Sequence, residues 1–183
     1  MNKLWKAILV ALGLMVGAEA KAGAVTAWDF SFVGLDGMPM PLSQYRGKAV
    51  LVVNTASQCA FTPQYSGLEA LSKKYRERGL VVIGVPSNDF GGQEPGSSEQ
   101  IRQFCQSNFG IDFPLTEKTR VIGDDAHPFY RWANQQLGVL SRPMWNFHKF
   151  LIGPDGRLVN WFATVTTPES PRLTRAIEAV LPN

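Results

Sequence analysis

The sequence predicts an α/β fold, a central mixed β-sheet flanked by helices and preceded by an N-terminal β-hairpin. Three observations carry that expectation. Two wholly apolar runs, Ala49-Val-Leu-Val-Val53 and Leu80-Val-Val-Ile-Gly-Val85, bracket a helical pattern. Their spacing is that of a βαβ unit, with parallel strands buried on both faces and a right-handed crossover. Asp36-Gly37 is a turn signal inside a short N-terminal strand pair. Near the C-terminus, two more strand-like runs flank Gly153-Pro-Asp-Gly156 and lead into an amphipathic helix.

Trp28-Asp-Phe-Ser-Phe32 alternates as a strand does, and Val33 to Leu42 completes the hairpin. After the strand Ala49–Val53, Thr62 is placed to cap a helix with Pro63 at its first position. Leu68, Leu71 and Tyr75 share one face of that helix, and Gly79 ends it. Ser87 to Gly96 reads as an ordered polar loop. Ser97 and Gln100 form a capping box for a helix reaching Phe109, with Ile101, Phe104 and Phe109 directed inward and Cys105 late on it. His127-Pro128 opens a short helix that stops near Gly138. Phe147–Ile152 and Arg157–Phe162 form the second hairpin, and Thr167-Pro168 opens a last helix running to Leu181. Hairpin, βαβ, two helices and ββα together outline a thioredoxin-like fold.

The N-terminus reads as an export leader. Lys3 and Lys6 give a basic start, Ala7 to Ala18 is apolar, and Ala18-Glu-Ala20 offers a small-x-small cleavage site. The apolar stretch is too short for the roughly 20 residues of a spanning helix. The expected organisation is a signal peptide over residues 1–20 and a single domain over residues 21–183, exported to the periplasm. No stable membrane insertion is expected after cleavage. The full chain carries a formal charge of +3, and +2 without Lys3, Lys6 and Glu19. So small and dispersed a charge argues against nucleic-acid binding. No Cys/His cluster has ligand spacing, so no metal is expected.

The chain has two cysteines. In an exported protein two cysteines are often a structural bridge. Cys59, however, stands in Asn54-Thr-Ala-Ser-Gln-Cys59, in the polar turn between a strand end and a helix start. The positive end of a helix favours thiolate over thiol.

Four segments, taken together, resemble the glutathione peroxidase family. They are the Cys59 turn, Pro86-Ser-Asn-Asp-Phe-Gly-Gly-Gln-Glu-Pro95, Phe104-Cys105, and Met144-Trp-Asn-Phe-His-Lys-Phe150. The resemblance extends from about Asp29 to the C-terminal helix. It implies that Cys59 attacks peroxide and that Gln93, Trp145 and Asn146 complete the catalytic set. The chemistry fits these residue types. Sulfur attacks one peroxide oxygen, and neutral amide and indole donors stabilise both the thiolate and the departing oxygen. The resemblance further implies that Cys105 resolves a Cys59 sulfenic acid as an internal disulfide, after partial unwinding of its helix. It implies no cofactor beyond an external thiol reductant, glutathione or a thioredoxin-like protein, between which the residues do not choose. The segment between Asp125 and Met144 lacks the longer insertions that support tetramers in some relatives, so a monomer is expected.

Two positions depart from the family pattern. Ser87 stands where a further cysteine is common, which leaves Cys105 as the second thiol. Asp89 replaces a common glutamine, and a carboxylate near Cys59 would oppose its ionisation. His148 is expected on an exposed strand face. Two other readings stay open on the residues alone. A thiol–disulfide exchange enzyme usually needs Cys-x-x-Cys, and Cys59-Ala-Phe-Thr62 lacks the second thiol. A non-catalytic binding domain would hold Cys59 and Cys105 in a structural bridge.

Overall fold

Four strands form one sheet in the order β4-β3-β5-β6, comprising β3 (Ala49–Thr55), β4 (Leu80–Pro86), β5 (Lys149–Ile152) and β6 (Leu158–Phe162). The computed structural model describes residues 23–182. The leader read at residues 1–20 lies outside the described residues. β3 and β4 are parallel, while β3–β5 and β5–β6 are antiparallel, so the sheet is mixed as expected. A separate antiparallel pair, β1 (Ser31–Val33) and β2 (Pro39–Pro41), forms the N-terminal hairpin.

Every residue of β3 is buried, because both faces of the sheet are covered. Alternation divides its side chains between two cores. Ala49, Leu51 and Val53 pack with α1 (Gln64–Tyr75), α2 (Ser98–Phe109) and α4 (Pro171–Glu178). Val50 and Val52 pack with the hairpin and with α3 (Pro128–Leu137). The capping box of Ser97 and Gln100 is present at α2, and Gly110, at φ 61°, ends the helix. Ile101 and Cys105 form the buried face of α2; Phe104 and Phe109 lie half-buried beside it.

Strand and helix ends shift by up to three residues, β5 starting at Lys149, β6 at Leu158 and the last helix ending at Glu178, and three further differences have a local cause. Residues Ala27–Asp29 form a single 3-10 turn rather than strand, because the Asp29 carboxylate accepts the Thr26 N–H at 2.8 Å and closes a capping box. The last helix starts at Pro171, not after Thr167. Two Ser/Thr-Pro signals compete here, and Ser170 wins by accepting the Leu173 N–H. Thr62 does not cap α1, whose first residue is Gln64; its hydroxyl is used elsewhere, as described below.

The topology explains why the chemistry-bearing segments meet. β3 and β4 end side by side, with Thr55 opposite Pro86. The Cys59 turn and the 87–97 loop therefore leave from one end of the sheet, where open α/β sheets place their ligands. β5 runs the other way, so its start, preceded by Trp145 and Asn146, lies at that same end.

The hairpin between β5 and β6 is tied to the N-terminus by the Ala27 N–H, which donates to the Gly156 carbonyl at 2.8 Å. Gly156 has φ +82°, and a Cβ there would lie 2.5 Å from Trp28 Nε1. Gly156→Ala therefore combines left-handed strain with overpacking. We expect it to cost about 2–4 kcal/mol, read as a lowered midpoint in chemical denaturation.

Candidate active site

Cys59 occupies a turn knitted by Thr62. The Cys59 N–H donates to Thr62 Oγ1 at 3.0 Å, and that hydroxyl donates to the Ala56 carbonyl at 2.9 Å. The loop is thereby held in shape by the residue expected to cap the helix. The Phe61 N–H points at Cys59 Sγ at 3.4 Å, so a backbone dipole faces the sulfur with its positive end. Cys59 itself is 7% exposed, within reach of solvent at the edge of the core.

The other predicted residues gather beside it. The Gln58 N–H donates to the Gln93 carbonyl at 3.0 Å, which ties the 87–97 loop to the residue preceding the cysteine. Asn146 Nδ2 donates to Gln93 Oε1 at 2.9 Å. Asn146 is fully buried, and its carbonyl accepts the Thr164 hydroxyl at 2.7 Å. Trp145 is 39% exposed, with its ring 5.9 Å from that of Phe90. Asn54 Nδ2 donates to the Trp145 carbonyl at 3.1 Å. Gln93, Trp145 and Asn146 thus converge on one end of the sheet, around the Cys59 turn.

Phe147 follows Asn146 with φ 62°, the sole non-glycine with positive φ among the described residues. Such backbone strain costs about 1–2 kcal/mol. Three contacts offset it. The Phe147 N–H donates to the Asn54 carbonyl at 2.6 Å, its ring packs edge-on against Tyr65 at 5.4 Å, and Lys149 Nζ donates to its carbonyl at 2.7 Å. Lys149 is fully buried, also donates to Gln64 Oε1 at 2.8 Å, and is pushed down to about 7 by burial.

Asp89 turns away from this cluster. Its carboxylate accepts the Val121 and Ile122 N–H groups at 2.6 and 3.2 Å and pairs with Arg120 at 3.3 Å. His148 was expected to be exposed, and the structure corrects this: it is 2% exposed. The alternation of β5 does not leave a solvent face, since all four of its residues are buried. The ring stacks on Trp161 at 5.4 Å and meets Phe150 edge-on at 4.9 Å.

Cys105 lies 1% exposed in the same core as Cys59, and both are free thiols. Burial pushes the Cys105 thiol up to about 11, with the Tyr65 hydroxyl beside it pulling the other way and Glu94 adding to the rise. A cavity of about 410 Å³ opens between the Cys59 turn and α2, lined by Ser57, Gln58, Glu94, Gln100, Ile101 and Phe104. It adjoins both cysteines through their chain neighbours. Among the described residues no group of three or more His, Cys, Asp or Glu side chains could hold a metal ion.

Thr62, Asn54, Lys149 and Glu94 are site residues that the sequence reading did not single out. For Lys149 and Glu94 a signal existed: each is a charge within a quoted motif, in an apolar strand entry and before a Pro-Gly. For Asn54 and Thr62 there was none, because their partners are fixed by strand pairing and turn geometry.

This is a thioredoxin-like fold with a cysteine at the end of its central strand and amide and indole groups around it. The thiol:disulfide interchange protein of Chlorobium tepidum shares that fold, with a TM-score of 0.62 at 18% identity over 82% of this chain and 92% of its own. The sequence model of the glutathione peroxidase family matches residues 27–134. The glutathione peroxidase-like peroxiredoxin gpx1 of Schizosaccharomyces pombe is 50% identical over 157 residues, covering 84% of this chain and 98% of that protein. Hydroperoxy fatty acid reductase gpx1 of Synechocystis is 42% identical over 152 residues, covering 79% and 90%. The crystal structure of Trgpx in its apo form has a TM-score of 0.68 at 39% identity, covering 85% and 97%. The chain belongs to the glutathione peroxidase family.

His148 generates a pH prediction. Burial, with Lys149 adding to it, lowers its pKa to about 4. The unfolded chain takes up this proton near the ordinary 6.5, and the folded chain resists it until about 4. Stability from this group is therefore full above pH 6.5 and is lost as pH falls towards 4, by about 3 kcal/mol. His148→Phe should flatten that part of the stability–pH curve, measured by denaturant unfolding at several pH values.

Proposed function

We propose that this peroxidase works as a two-cysteine enzyme in which Cys59 attacks the peroxide and Cys105 resolves the product. The chain acts on peroxide as its electron acceptor, as its family membership establishes. The residue roles are our own reading. It is carried by one observation, the 2.9 Å hydrogen bond from Asn146 to Gln93 beside a Cys59 turn that is itself fastened to Gln93 through Gln58.

In the first step the Cys59 thiolate attacks one peroxide oxygen. The S–O bond forms as the O–O bond breaks, and the departing alkoxide or hydroxide takes a proton. Cys59 is left as a sulfenic acid. Gln93, Asn146 and the Trp145 indole are neutral donors, so they stabilise charge on sulfur and on the leaving oxygen without locking the sulfur into an ion pair. In the second step Cys105 attacks the oxidised sulfur, a disulfide forms, and water leaves. An external thiol, glutathione or a thioredoxin-like protein, returns the disulfide to two thiols. The relatives named above include a reductase of hydroperoxy fatty acids. We infer that organic hydroperoxides as well as hydrogen peroxide are substrates, since the exposed Trp145 and Met144 border the site with apolar surface.

We further propose that the mature protein is an exported monomer. The support is the leader-like pattern of residues 1–20 and the short segment between Asp125 and Met144. No helix among the described residues is long and apolar enough to cross a membrane. Cell fractionation of the full-length protein, with mass measurement of its N-terminus, tests the leader; recovery of the uncleaved chain in the cytoplasm refutes it.

One equivalent of peroxide added to the reduced protein should give a Cys59–Cys105 disulfide, mapped by mass spectrometry. Cys105→Ser should accumulate a sulfenic acid on Cys59, and Cys59→Ser should not consume peroxide. Peroxide loss by Cys59→Ser at the rate of the unmodified protein would overturn the assignment. Asn146→Ala should slow sulfenic acid formation by about 10²-fold, seen in single-turnover kinetics.

A further inference from the structure

Glu94 is 1% exposed; the Ser57 hydroxyl and N–H face its carboxylate, but neither oxygen closes a hydrogen bond of ordinary length. A buried carboxyl so loosely partnered is costly. The Ser57 and Tyr65 hydroxyls are also buried without a hydrogen bond of ordinary length, Ser57 facing Glu94 and Tyr65 facing the Cys105 thiol and Thr55. Tyr65 and Cys105 both feel the Glu94 charge. A pocket of polar groups thus lies in the apolar core between the two cysteines, with Glu94 as its carboxyl.

The backbone at Glu94 is pinned. Its N–H donates to Asn88 Oδ1 at 2.8 Å. Lys118 Nζ donates to the carbonyls of Glu94, Pro95 and Gly96 at 3.0, 3.3 and 2.9 Å. This clamp ends immediately before Ser97, the N-cap of α2. When α2 loosens to bring Cys105 to Cys59, everything up to Gly96 can stay in place. Glu94 then remains beside the Cys59 turn while the second thiol arrives.

We propose that Glu94 is the base that takes the Cys105 proton as the disulfide forms, an inference that rests on the two-cysteine reading above. The Glu94 carboxylate accepts the thiol proton. The Cys105 sulfur attacks the sulfur of the Cys59 sulfenic acid. The S–S bond forms, the S–O bond breaks, and the leaving hydroxide takes the proton back from Glu94 as water. The sulfenic acid is reduced, the two cysteines become a disulfide, and the carboxylate is regenerated.

The ionisable groups around the pocket favour this assignment. Burial raises the Cys105 thiol to about 11 and the Tyr65 hydroxyl well above its ordinary value, so neither is an effective base near neutrality. Burial also raises Glu94, while Ser57 and the Lys118 ammonium pull it back. A carboxylate raised by burial is a stronger base than an exposed one.

The test is the single-turnover rate of disulfide formation across roughly pH 5 to 9, followed by quenching and mass spectrometry, with sulfenic acid formation read in the same samples. In the unmodified protein the disulfide step should rise with ionisation of Glu94 and level off below the ordinary thiol value of about 8.5. Glu94→Gln should slow this step by about 10²-fold at neutral pH and replace the plateau with a continued climb of about tenfold per pH unit. Glu94→Asp should restore a plateau. A Glu94→Gln protein with the unmodified rate and pH profile overturns the proposal. If that variant does not fold, the unmodified profile decides alone, because a climb that continues into the thiol range rules Glu94 out. Failure of the two-cysteine reading looks different: Cys105→Ser would then lose its sulfenic acid as fast as the unmodified protein, and the proposal would fall with it.

Discussion

Asn54 is the residue on which the site depends. It is fully buried near the end of β3, and it holds the opposite side of the site with three bonds. Its N–H donates to the His148 carbonyl, its carbonyl accepts the Phe147 N–H, and its side chain donates to the Trp145 carbonyl. Five residues further on stands Cys59. One residue of the central strand therefore sets where the Trp145–Asn146 turn lies relative to the sulfur. Loss of any of these bonds would free a turn that already carries the strained φ of Phe147. A strained backbone persists only where its surroundings over-determine it, and here strand pairing, an aromatic contact and the buried Lys149 do so together.

Polar groups in the interior are bonded to different extents. Around Trp145 and Asn146 they are bonded in a chain running from Gln93 to Asn146 and on to Thr164, whose own carbonyl takes the Gln64 amide. Lys149 joins that chain through Gln64. That network is not fully satisfied, since Asn54 Oδ1, Asn146 Oδ1 and His148 Nε2 are buried without partners, but its bonds tie four segments of the chain together. On the side of Cys59 and Cys105, Thr55, Ser57, Tyr65 and Glu94 also have buried oxygen atoms without hydrogen bonds of ordinary length.

Much of the fold was legible because its signals were local. The all-apolar β3 and β4, the Asp36-Gly37 and Gly153–Gly156 turns and the Ser97/Gln100 capping box each state their structure within a few residues. The misreadings arose where two local signals competed, as with Thr167-Pro168 against Ser170-Pro171. They also arose where a side chain found a tertiary partner, as Thr62 did with Cys59 and Ala56. His148 was misjudged because period-two alternation assumes one wet face, and β5 has none. The gathering of Gln93, Trp145 and Asn146 around the Cys59 turn follows from strand order, which periodicity alone does not give. The tie from Gln58 to Gln93 is a backbone bond and leaves no trace in residue type.

On the two-cysteine reading proposed above, the positions of the two thiols suit them to different tasks. Cys59 sits in a turn, with a backbone N–H facing its sulfur and a solvent-reachable edge, so it can meet a small oxidant without any part of the sheet moving. Cys105 sits within a helix whose apolar face closes the core, and burial keeps its proton in place. A thiol held neutral and out of reach does not compete for peroxide. It becomes available only when α2 loosens, and a sulfenic acid on Cys59 would add bulk and polarity to the core that α2 covers. On the proposed two-cysteine reading, separation of the cysteines by secondary structure orders the reaction in time: the sulfur in the turn reacts first, and the sulfur in the helix follows once the core has been disturbed.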